Sequence, residues 1–400
     1  MIFDMYKLFY STDYILRTFG SIFNAFIMKN FKGLGIGSGF IKGLAELNIV
    51  EPTEIQKKVI PFLLAGSTDI VAQAQTGTGK TAAYGLPLLA KMDTNIKSVQ
   101  GLVLCPTREL AKQVAKQLFR FTKYTDQIYT EAVYGGEPID RQMSSLRRPT
   151  QIIVATPGRL IDLVNRKAVN LGKIKIVVLD EADEMLSLGF QKELDEILSF
   201  LPAVESKWLF SATIPHGIQE IISKHLAKDA KRIHVSRGNV VNENISHQYQ
   251  KCSDPEKLNA LLRFLKSEQE NRGVIFCKTK VATKELTEKL KGKGIATDCI
   301  HGDLYQKERD KVMRAFKKKN LRVLVATDVA ARGIDVSGLT FVAHYQLPES
   351  DDYYTHRSGR TARAGKAGVS MCFANNSEVE TLRNYERTLG IKFRQVKGGS

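Results

Sequence analysis

The stretch VVLDEADEML, residues 177–186, joins an apolar run to four carboxylates, which are Asp180, Glu181, Asp183 and Glu184. Carboxylates at the end of a buried strand cost free energy unless they are paired or hold a cation. The chain as a whole carries a formal net charge of +17, so this acidic cluster opposes the general charge. The cluster therefore predicts a bound cation.

A second stretch, AQTGTGKT at residues 74–81, is suited to bind phosphate. It follows the apolar run DIVAQ and opens a helical pattern. Gly77 and Gly79 let the backbone fold around phosphate oxygens, so that its N–H groups and the helix N-terminus point at the anion. Ala74 stands where the pattern G-x-x-x-x-G-K-[ST] has its first glycine. The loop also contributes Gln75, Thr76 and Thr78 to this candidate site.

Side chains from the two stretches complement each other. Lys80 can neutralise β- and γ-phosphate charge, and the Thr81 hydroxyl can ligate Mg²⁺. Asp180 can hold the water shell of the metal, while Glu181 can orient or deprotonate an attacking water. The alternative is a solvated acidic helix start, which suits Glu184 but leaves the phosphate loop unexplained.

Composition indicates the class of partner. Four hundred residues suit two domains plus extensions. The 59 basic against 42 acidic residues indicate a polyanion, and nucleic acid is favoured over a membrane surface because no basic amphipathic helix carries the excess. The five cysteines are scattered without a CxxC pair, which predicts reduced thiols and a cytoplasmic protein rather than disulfides or zinc.

Residues 1–27 are rich in aromatic side chains but interrupted by charges such as Asp4, Lys7 and Arg17. Those charges argue against a membrane span, and no basic segment precedes an apolar core as in a signal peptide. We interpret this stretch as an extension ahead of a true start at Met28, with an amphipathic helix as the alternative.

Apolar β-rich runs alternate with helical patterns along the rest of the chain, which predicts parallel sheets covered on both faces. A polar segment, residues 236–245, separates two such series and is predicted as a linker. The predicted division is an extension at 1–30, domains at 31–235 and 246–393, and a tail at 394–400. The runs are DIVAQA, GLVLCP, IIVATP, IKIVVLD and KWLFSAT, then GVIFCKT, IATDCIHG, LRVLVATD, FVAHYQLP and GVSMCFA.

With DEAD at 180–183 and further motifs in family order over about residues 31–392, the chain resembles the DEAD-box RNA helicases, bacterial and short-tailed. The resemblance implies two tandem RecA-like domains, each a parallel sheet flanked by helices on both faces, that use ATP and Mg²⁺. EPTEIQ resembles the Q motif, which reads adenine through Thr53 and Gln56, with Phe31 upstream. Ile49 stands where the family commonly has an aromatic residue.

Other motifs imply the remaining nucleotide contacts. SAT, with Ser211 and Thr213, resembles the motif that couples hydrolysis to unwinding through Asp183. HRSGRTARAG at 356–365 resembles the arginine-finger motif, whose fixed, forked charge suits a γ-phosphate. It implies catalytic roles for Arg360, Arg363 and His356. ATDVAARGID at 326–335 implies nucleotide contacts from Gly333 and Asp335.

The family binds the RNA backbone with little sequence preference, and each of its contacts has a counterpart in this chain. Small or hydroxyl residues allow close approach to the sugar–phosphate chain, and basic residues neutralise it. No aromatic platform for reading bases is evident from the sequence. The implied RNA-binding residues are Thr107, Arg108, Gly135, Gly136, Thr156, Pro157, Gly158, Arg159, Lys278, Gln306, Arg309 and Thr327.

The resemblance implies an RNA-stimulated ATPase that clamps RNA between its domains, locally unwinds duplexes and releases RNA on hydrolysis. Two alternatives remain: an ATP-gated RNA clamp with negligible turnover, and a DNA translocase. Intact Lys80, Glu181 and Arg360 argue against the first, and the Q motif against the second. Bacterial members assist ribosome assembly, cold adaptation or mRNA decay, so ribosomal or mRNA-decay proteins are candidate partners.

Overall fold

A computed structural model describes residues 30–75, 77–235, 244–331, 338–362 and 366–396. Their strands form two sheets of seven, and every paired strand runs parallel to its neighbour. This confirms the predicted α/β architecture of two parallel sheets. The N-terminal extension and the proposed start at Met28 lie outside the described residues.

The first sheet has the strand order β3-β4-β2-β5-β6-β1-β7. Its strands are β1 Ile70–Gln73, β2 Gly101–Leu104, β3 Thr130–Val133, β4 Ile152–Ala155, β5 Ile176–Asp180, β6 Ser206–Ser211 and β7 Lys231–His234. Its helices are α1 Ser38–Glu46, α2 Glu54–Ala65, α3 Lys80–Ala90, α4 Arg108–Phe121, α5 Ile139–Ser145, α6 Pro157–Asn165, α7 Ala182–Ser187, α8 Gln191–Ser199 and α9 His216–His225.

The second sheet has the order β10-β11-β9-β12-β13-β8-β14. Its strands are β8 Ile245–Lys251, β9 Gly273–Phe276, β10 Thr297–Ile300, β11 Val323–Ala326, β12 Phe341–His344, β13 Gly368–Ala374 and β14 Arg394–Gln395. Its helices are α10 Lys257–Ser267, which follows a 3₁₀ turn at Asp254–Glu256, α11 Lys280–Lys291, α12 Gln306–Lys317, α13 Asp328–Ala331, α14 Asp351–Ser358 and α15 Asn376–Leu389. Ile245 and β14 therefore extend this sheet into segments predicted as linker and tail.

Central strands are continuously apolar because both faces of each sheet are covered. In β5, Val178 packs into the core on one face, while Val177 and Leu179 pack into the core on the other. Each such side chain contributes about 1.5–3 kcal/mol when fully buried. The cores thus hold the sheet rigid beneath its loops.

The strand order sets which loops meet. β5, β6 and β1 are neighbours, with Asp180 opposite Phe210 and Gln73 opposite Ser211 in register. Ligands of parallel sheets bind beyond the carboxyl ends of the strands. The phosphate loop, the acidic cluster and the SAT motif therefore share one edge.

The helices and the cysteines can be compared with what the sequence predicts about membrane spans and disulfides. None of the helices that the structure describes is both long and apolar enough to span a bilayer. All five cysteine thiols are free, so no disulfide is formed.

A buried polar network lies beneath the second sheet. The Tyr354 hydroxyl shares hydrogen bonds with His247 Nδ1 and with the Ser370 hydroxyl, which also contacts His344 Nε2 at 3.0 Å. Burial lowers the pKa of His247 to about 4 and that of His344 well below its usual value. Both imidazoles are therefore neutral in the folded protein at neutral pH.

This network predicts acid-sensitive folding. Between pH 6.5 and 4 the unfolded state binds a proton at His247 that the folded state does not, so stability falls as pH falls. For this residue the loss is about 3 kcal/mol across that range. Denaturant titrations at several pH values should show that His247→Phe has a shallower pH slope than the wild type.

His216→Gln is the matched control, since the His216 side chain is 89% exposed and should leave the slope unchanged. Equal slopes for His247→Phe and the wild type would contradict the assignment.

Candidate active site and nucleic-acid groove

The phosphate loop is closed on itself between β1 and α3. Gly77 and Gly79 have φ of +86° and +89°, in the left-handed region that favours glycine. The Lys80 ammonium group is buried and donates to the Ala74 carbonyl oxygen at 2.9 Å, while the Thr78 hydroxyl donates to the Gln75 carbonyl oxygen at 2.7 Å. An anion at the start of α3 would meet the backbone N–H groups of the loop and the Lys80 ammonium group.

Gln56 connects the Q-motif segment to that loop. Its Oε1 accepts from the Thr53 backbone N–H at 2.9 Å, and its Nε2 donates to the Gly79 carbonyl oxygen at 3.0 Å. A Cβ at Gly79 would lie 2.4 Å from this Nε2, so a side chain there would displace Gln56. Phe31, at 2% exposure, belongs to a buried hydrophobic cluster of the first domain, and the partly buried Ile49 packs against that cluster.

Asp180 ends β5 as a buried carboxylate. Its Oδ2 accepts from the Tyr84 hydroxyl at 2.8 Å, whereas its buried Oδ1 has no hydrogen-bond partner among the described residues. Burial, with a smaller contribution from the Glu181 charge, raises the pKa of Asp180 to about 6 against the opposing charge of Lys80. An orphaned, anionic oxygen of this kind fits a hydrated Mg²⁺.

Glu181 has φ 51° and ψ 52°, a left-handed conformation that is uncommon outside glycine and asparagine. Such residues cost about 1–3 kcal/mol and persist where the surroundings impose them, often at functional sites. The strained residue directly follows the metal-binding candidate Asp180.

The acidic box and the SAT segment are hydrogen-bonded to each other. Asp183 Oδ2 accepts from the Thr213 backbone N–H at 2.8 Å and from its hydroxyl at 3.0 Å. The Asp183 backbone N–H donates to the Ser211 hydroxyl oxygen at 3.2 Å, and that hydroxyl donates to the Thr213 carbonyl oxygen at 2.6 Å. The contact implied for Asp183 is thus present in the structure.

Residues of the second sheet reach this site. Burial lowers the pKa of His356, the nearby Asp183 and Glu181 charges oppose that shift, and Arg360 and Lys80 add to it. Arg360 itself is buried, at 8% exposure. The two halves of the chain therefore meet around the phosphate loop. Thr76, Gly333, Asp335 and Arg363 lie outside the described residues.

A separate cavity of about 510 Å³ lies between the two sheets. Thr107 and Thr156 precede α4 and α6, and the Thr107 hydroxyl accepts from the Leu110 N–H at 3.3 Å. Of the predicted RNA-binding residues, those lining the cavity are Thr107, Arg108, Gly135, Thr156, Gly158, Arg159 and Arg309. Five predicted residues do not line the cavity, namely Gly136, Pro157, Lys278, Gln306 and Thr327. Lining residues that were not predicted to bind RNA include Leu188, Phe190, Gly302 and Leu304.

The arginines of this groove already have protein partners. Arg309 Nε and Nη2 donate to Glu109 Oε1 at 2.9 and 2.8 Å, and Arg108 Nη1 donates to Gln306 Oε1 at 3.1 Å, both between the two halves of the chain. Arg159 donates to the Glu137 carbonyl oxygen at 3.0 Å. Arg108 and Arg309 therefore link the two halves of the chain across the groove, and all three arginines place positive charge in its wall.

The other predicted groove residues are placed as follows. Gly136 has φ +84°, in the left-handed region that favours glycine, and a Cβ there would lie 1.9 Å from Arg108 Nη1 and displace that guanidinium. Lys278 is exposed, and its backbone N–H donates to Gln346 Oε1 at 2.8 Å. Thr327 precedes α13, and its N–H donates to the Ile300 carbonyl oxygen at 3.3 Å.

Two functional contacts were missed by sequence reasoning. Tyr84, one turn into α3, orients Asp180. Arg357 is 1% exposed as a side chain and donates to both carboxylate oxygens of Asp328, at 2.5 and 2.7 Å. A tyrosine inside the apolar helix KTAAYGLPLLA was the only sequence signal for the first, because a buried hydroxyl needs a partner.

Comparison with known proteins agrees with the family resemblance inferred from the sequence motifs. Residues 53–221 match the family described as DEAD/DEAH box helicase, and residues 256–365 match the helicase conserved C-terminal domain. A DEAD-box ATP-dependent RNA helicase CshA of Bacillus cereus is 43% identical over 361 residues, which cover 90% of this chain and 68% of that protein.

Solved structures agree with the sequence comparison. S. cerevisiae Dbp5 bound to RNA and ADP BeF3 has a TM-score of 0.85 at 32% identity, covering 92% of this chain and 96% of that one. Mss116p bound to ssRNA and AMP-PNP has a TM-score of 0.82 at 26% identity, covering 92% of this chain and 78% of that one. The two-domain α/β fold is therefore common to all of them.

Proposed function

Because this chain belongs to the DEAD-box helicase family, we propose that it is an ATP-dependent RNA helicase built from two RecA-like domains. It clamps RNA between them, locally unwinds short duplexes or remodels RNA–protein complexes, and releases RNA on hydrolysis. One observation carries this proposal: His356 of the second sheet lies within reach of the charges of Asp183, Glu181 and Lys80 in the first.

The domains of this proposal follow the two sheets. The ATP-binding domain comprises residues 31–235, a linker follows at 236–245, and the C-terminal helicase domain comprises 246–393. Since Ile245 and Arg394–Gln395 pair into the second sheet, the C-terminal domain takes them in as well. The proposed extension at 1–30 precedes these domains, and the proposed tail is shortened accordingly from 394–400 to 396–400.

The residues of the nucleotide site divide the work between them. The phosphates are bound by backbone N–H groups of the loop, from Gln75, Thr76, Gly77, Thr78 and Gly79. Lys80 neutralises the phosphate charge. The adenine base is bound on the side formed by Thr53, Gln56 and Phe31. Thr81 and Asp180 would hold Mg²⁺, which would supply positive charge against the phosphates. The orphaned Asp180 Oδ1 supports this assignment.

Hydrolysis then depends on groups from both domains. Glu181 orients and deprotonates the attacking water. Arg360 and Arg363 stabilise the charge that develops on the γ-phosphate, and His356 bridges towards Asp183. Gly333 and Asp335 complete the site from the second domain. Because the closed state alone assembles these groups, ATP and RNA bind cooperatively.

RNA occupies the groove between the domains through its backbone. Its proposed contacts are the twelve residues predicted from the sequence, from Thr107 to Thr327, of which seven line the cavity between the domains. We place the protein in the cytoplasm, a location that the free thiols support. Ribosomal or mRNA-decay proteins are its candidate partners, which purification of the native complex from cells would identify.

Steady-state ATPase activity without nucleic acid, with single-stranded RNA, and with DNA of the same sequence tests the proposal. We expect strong stimulation by RNA alone. Equal stimulation by DNA would favour a DNA translocase. Absence of any stimulation, with ATP still tightening RNA binding, would favour a clamp without turnover.

The hydrogen bonds to Asp183 yield a prediction about coupling. The double variant Ser211→Ala/Thr213→Ala removes the two side-chain hydrogen bonds that join Asp183 to this segment, and also the bond from the Ser211 hydroxyl to the Thr213 carbonyl oxygen within it. Hydrogen bonds to charged groups contribute about 1.5–3 kcal/mol each, so duplex unwinding should fall by at least about 10-fold. RNA-stimulated ATPase should change much less, because the phosphate loop and Asp180 are untouched.

Ser199→Ala is the control, since the Ser199 hydroxyl bonds only the Glu196 carbonyl oxygen on an exposed helix end. Parallel losses of ATPase and unwinding in the double variant would contradict a coupling role.

A further inference from the structure

We propose that Tyr305 is a base-stacking platform at the rim of the RNA groove, an inference that rests on the proposed function and goes beyond its backbone contacts. The Tyr305 side chain is 81% exposed, the largest value among the exposed large hydrophobic side chains of the described residues. A bare aromatic ring in water is unremarkable by itself. Its position gives it a function.

The groove wall includes the segment that carries Tyr305. Gly302, Leu304 and Arg309 line the cavity between the domains. Gln306, the next residue after Tyr305, accepts a hydrogen bond from Arg108 of the first domain at 3.1 Å. Tyr305 therefore stands between Leu304, which lines the cavity, and Gln306, which is hydrogen-bonded to the cavity-lining Arg108, and its own ring is in solvent.

The backbone beneath the ring is held firmly. The Tyr305 carbonyl oxygen accepts from the N–H groups of Glu308 and Arg309 at 3.0 Å each, and its N–H donates to Glu308 Oε2 at 2.8 Å. Tyrosine has few rotatable bonds, so a ring on such an anchor loses little entropy when a flat partner stacks on it. The backbone that carries the ring is therefore ordered before a planar ligand binds.

Local helix stability does not explain a tyrosine at this place. Residue 305 precedes the first turn of α12, where serine, threonine, aspartate and asparagine are the residues that cap best. The Tyr305 side chain makes no capping hydrogen bond to the helix. The aromatic side chain is thus unused by the fold.

Basic side chains accompany the segment that carries Tyr305, together with the carboxylates of Asp303 and Glu308. Lys280 and Lys284 share the single carboxylate of Asp303, at 3.0 and 4.0 Å, two residues before Tyr305. Lys307, two residues after it, is exposed. An aromatic face beside a basic groove is the combination by which proteins bind single-stranded nucleic acid, since every base has a π-face.

The test measures RNA affinity of the full chain. A fluorescein-labelled 12-nucleotide single-stranded RNA is titrated with protein in the presence of Mg²⁺ and a non-hydrolysable ATP analogue, and anisotropy gives Kd. Tyr305→Ala should weaken binding by about 5- to 150-fold, the range that loss of one stacking aromatic produces. Tyr305→Phe should stay close to the wild type.

Two matched variants separate stacking from other causes. Tyr305→Ser removes the ring but improves the helix cap, so it should bind as weakly as Tyr305→Ala. Phe119→Ala removes a ring that is 65% exposed on α4, remote from the cavity lining, and should bind like the wild type. Recovery of affinity in Tyr305→Ser would overturn the proposal in favour of a structural role.

RNAs with single abasic sites identify the partner of the ring. One abasic position should weaken wild-type binding strongly and weaken Tyr305→Ala hardly at all. Equal sensitivity of both proteins at every position, or normal RNA affinity in Tyr305→Ala, would overturn the proposal. If the wild type bound no RNA with the ATP analogue present, the proposed function itself would fail, whereas loss of the Tyr305 effect alone would leave that function intact.

Discussion

Replacing Glu181 with glutamine is expected to lower RNA-stimulated ATP turnover by about 10²- to 10⁴-fold, the usual contribution of a general base. Glutamine keeps the size of the side chain, so the left-handed turn after β5 and the neighbouring Asp180 should keep their geometry. Binding of ATP and RNA should persist. Because hydrolysis is the step that reopens the cleft, RNA should also leave the variant more slowly than the wild type.

Single-turnover hydrolysis and the RNA dissociation rate, measured in the presence of ATP, test both parts of this prediction. Glu196→Gln is a suitable control, since Glu196 is an exposed carboxylate on α8. Turnover near the wild-type rate would remove Glu181 from the chemistry. Slow turnover with unchanged RNA release would instead contradict the gating by hydrolysis.

Arg357→Ala is expected to destabilise the second domain by about 3–5 kcal/mol, the cost of removing one partner of a buried ion pair. The Arg357 guanidinium donates to both oxygens of Asp328 and to the Gln346 carbonyl oxygen at 2.8 Å, and it lies 5.0 Å from the Phe276 ring centroid. Its loss leaves the Asp328 carboxylate, 22% exposed, without this partner. Arg357→Lys should lose somewhat less folding stability, because lysine keeps the positive charge but cannot donate to both carboxylate oxygens at once as the guanidinium does.

The single tryptophan of the chain makes this effect local and measurable. Trp208 lies in β6 of the first sheet, so its fluorescence reports unfolding of the first domain, while circular dichroism reports both. In denaturant, Arg357→Ala should shift part of the dichroism transition to lower concentration and leave the fluorescence transition in place. Arg383→Ala, whose side chain is 68% exposed, should shift neither. Coincident curves for the two variants would refute the buried-pair assignment.

The sequence predicted the interior of both sheets well and their margins poorly. All ten predicted runs are strands. Nine are interior strands, which are mainly apolar because both of their faces are covered, and the tenth is the edge strand β10, TDCI, which is only partly buried. The four strands that were not predicted are β3, β7, β8 and β14, whose sequences are TEAV, KRIH, ISHQYQK and RQ. Three of them are edge strands, and β8 lies one place in from an edge. Polar side chains are tolerated where a face or an edge meets water, so the apolar signal disappears there.

The candidate site was predicted as a set of motifs and not as a set of contacts. Lys80, Asp180 and Glu181 followed from local patterns, since each stands at a strand end or a helix start. Tyr84 with Asp180, and Arg357 with Asp328, are pairs formed by the tertiary fold across 96 and 29 residues of chain. Residue types alone do not determine such pairings.

The ion pair across the groove changes what RNA binding would exchange. Arg309 is already neutralised by Glu109, at 2.8 Å, with both side chains largely shielded from water. A phosphate that binds Arg309 must displace Glu109 or share the guanidinium with it. The net positive charge that this site brings to the RNA is therefore smaller than that of an unpaired arginine, and the release of cations condensed on the RNA is smaller as well. Such a contact fixes the position of the RNA backbone in the groove more than it adds to the long-range electrostatic attraction between protein and RNA. The number of arginines in the groove therefore overstates how steeply affinity for RNA should decline as ionic strength rises.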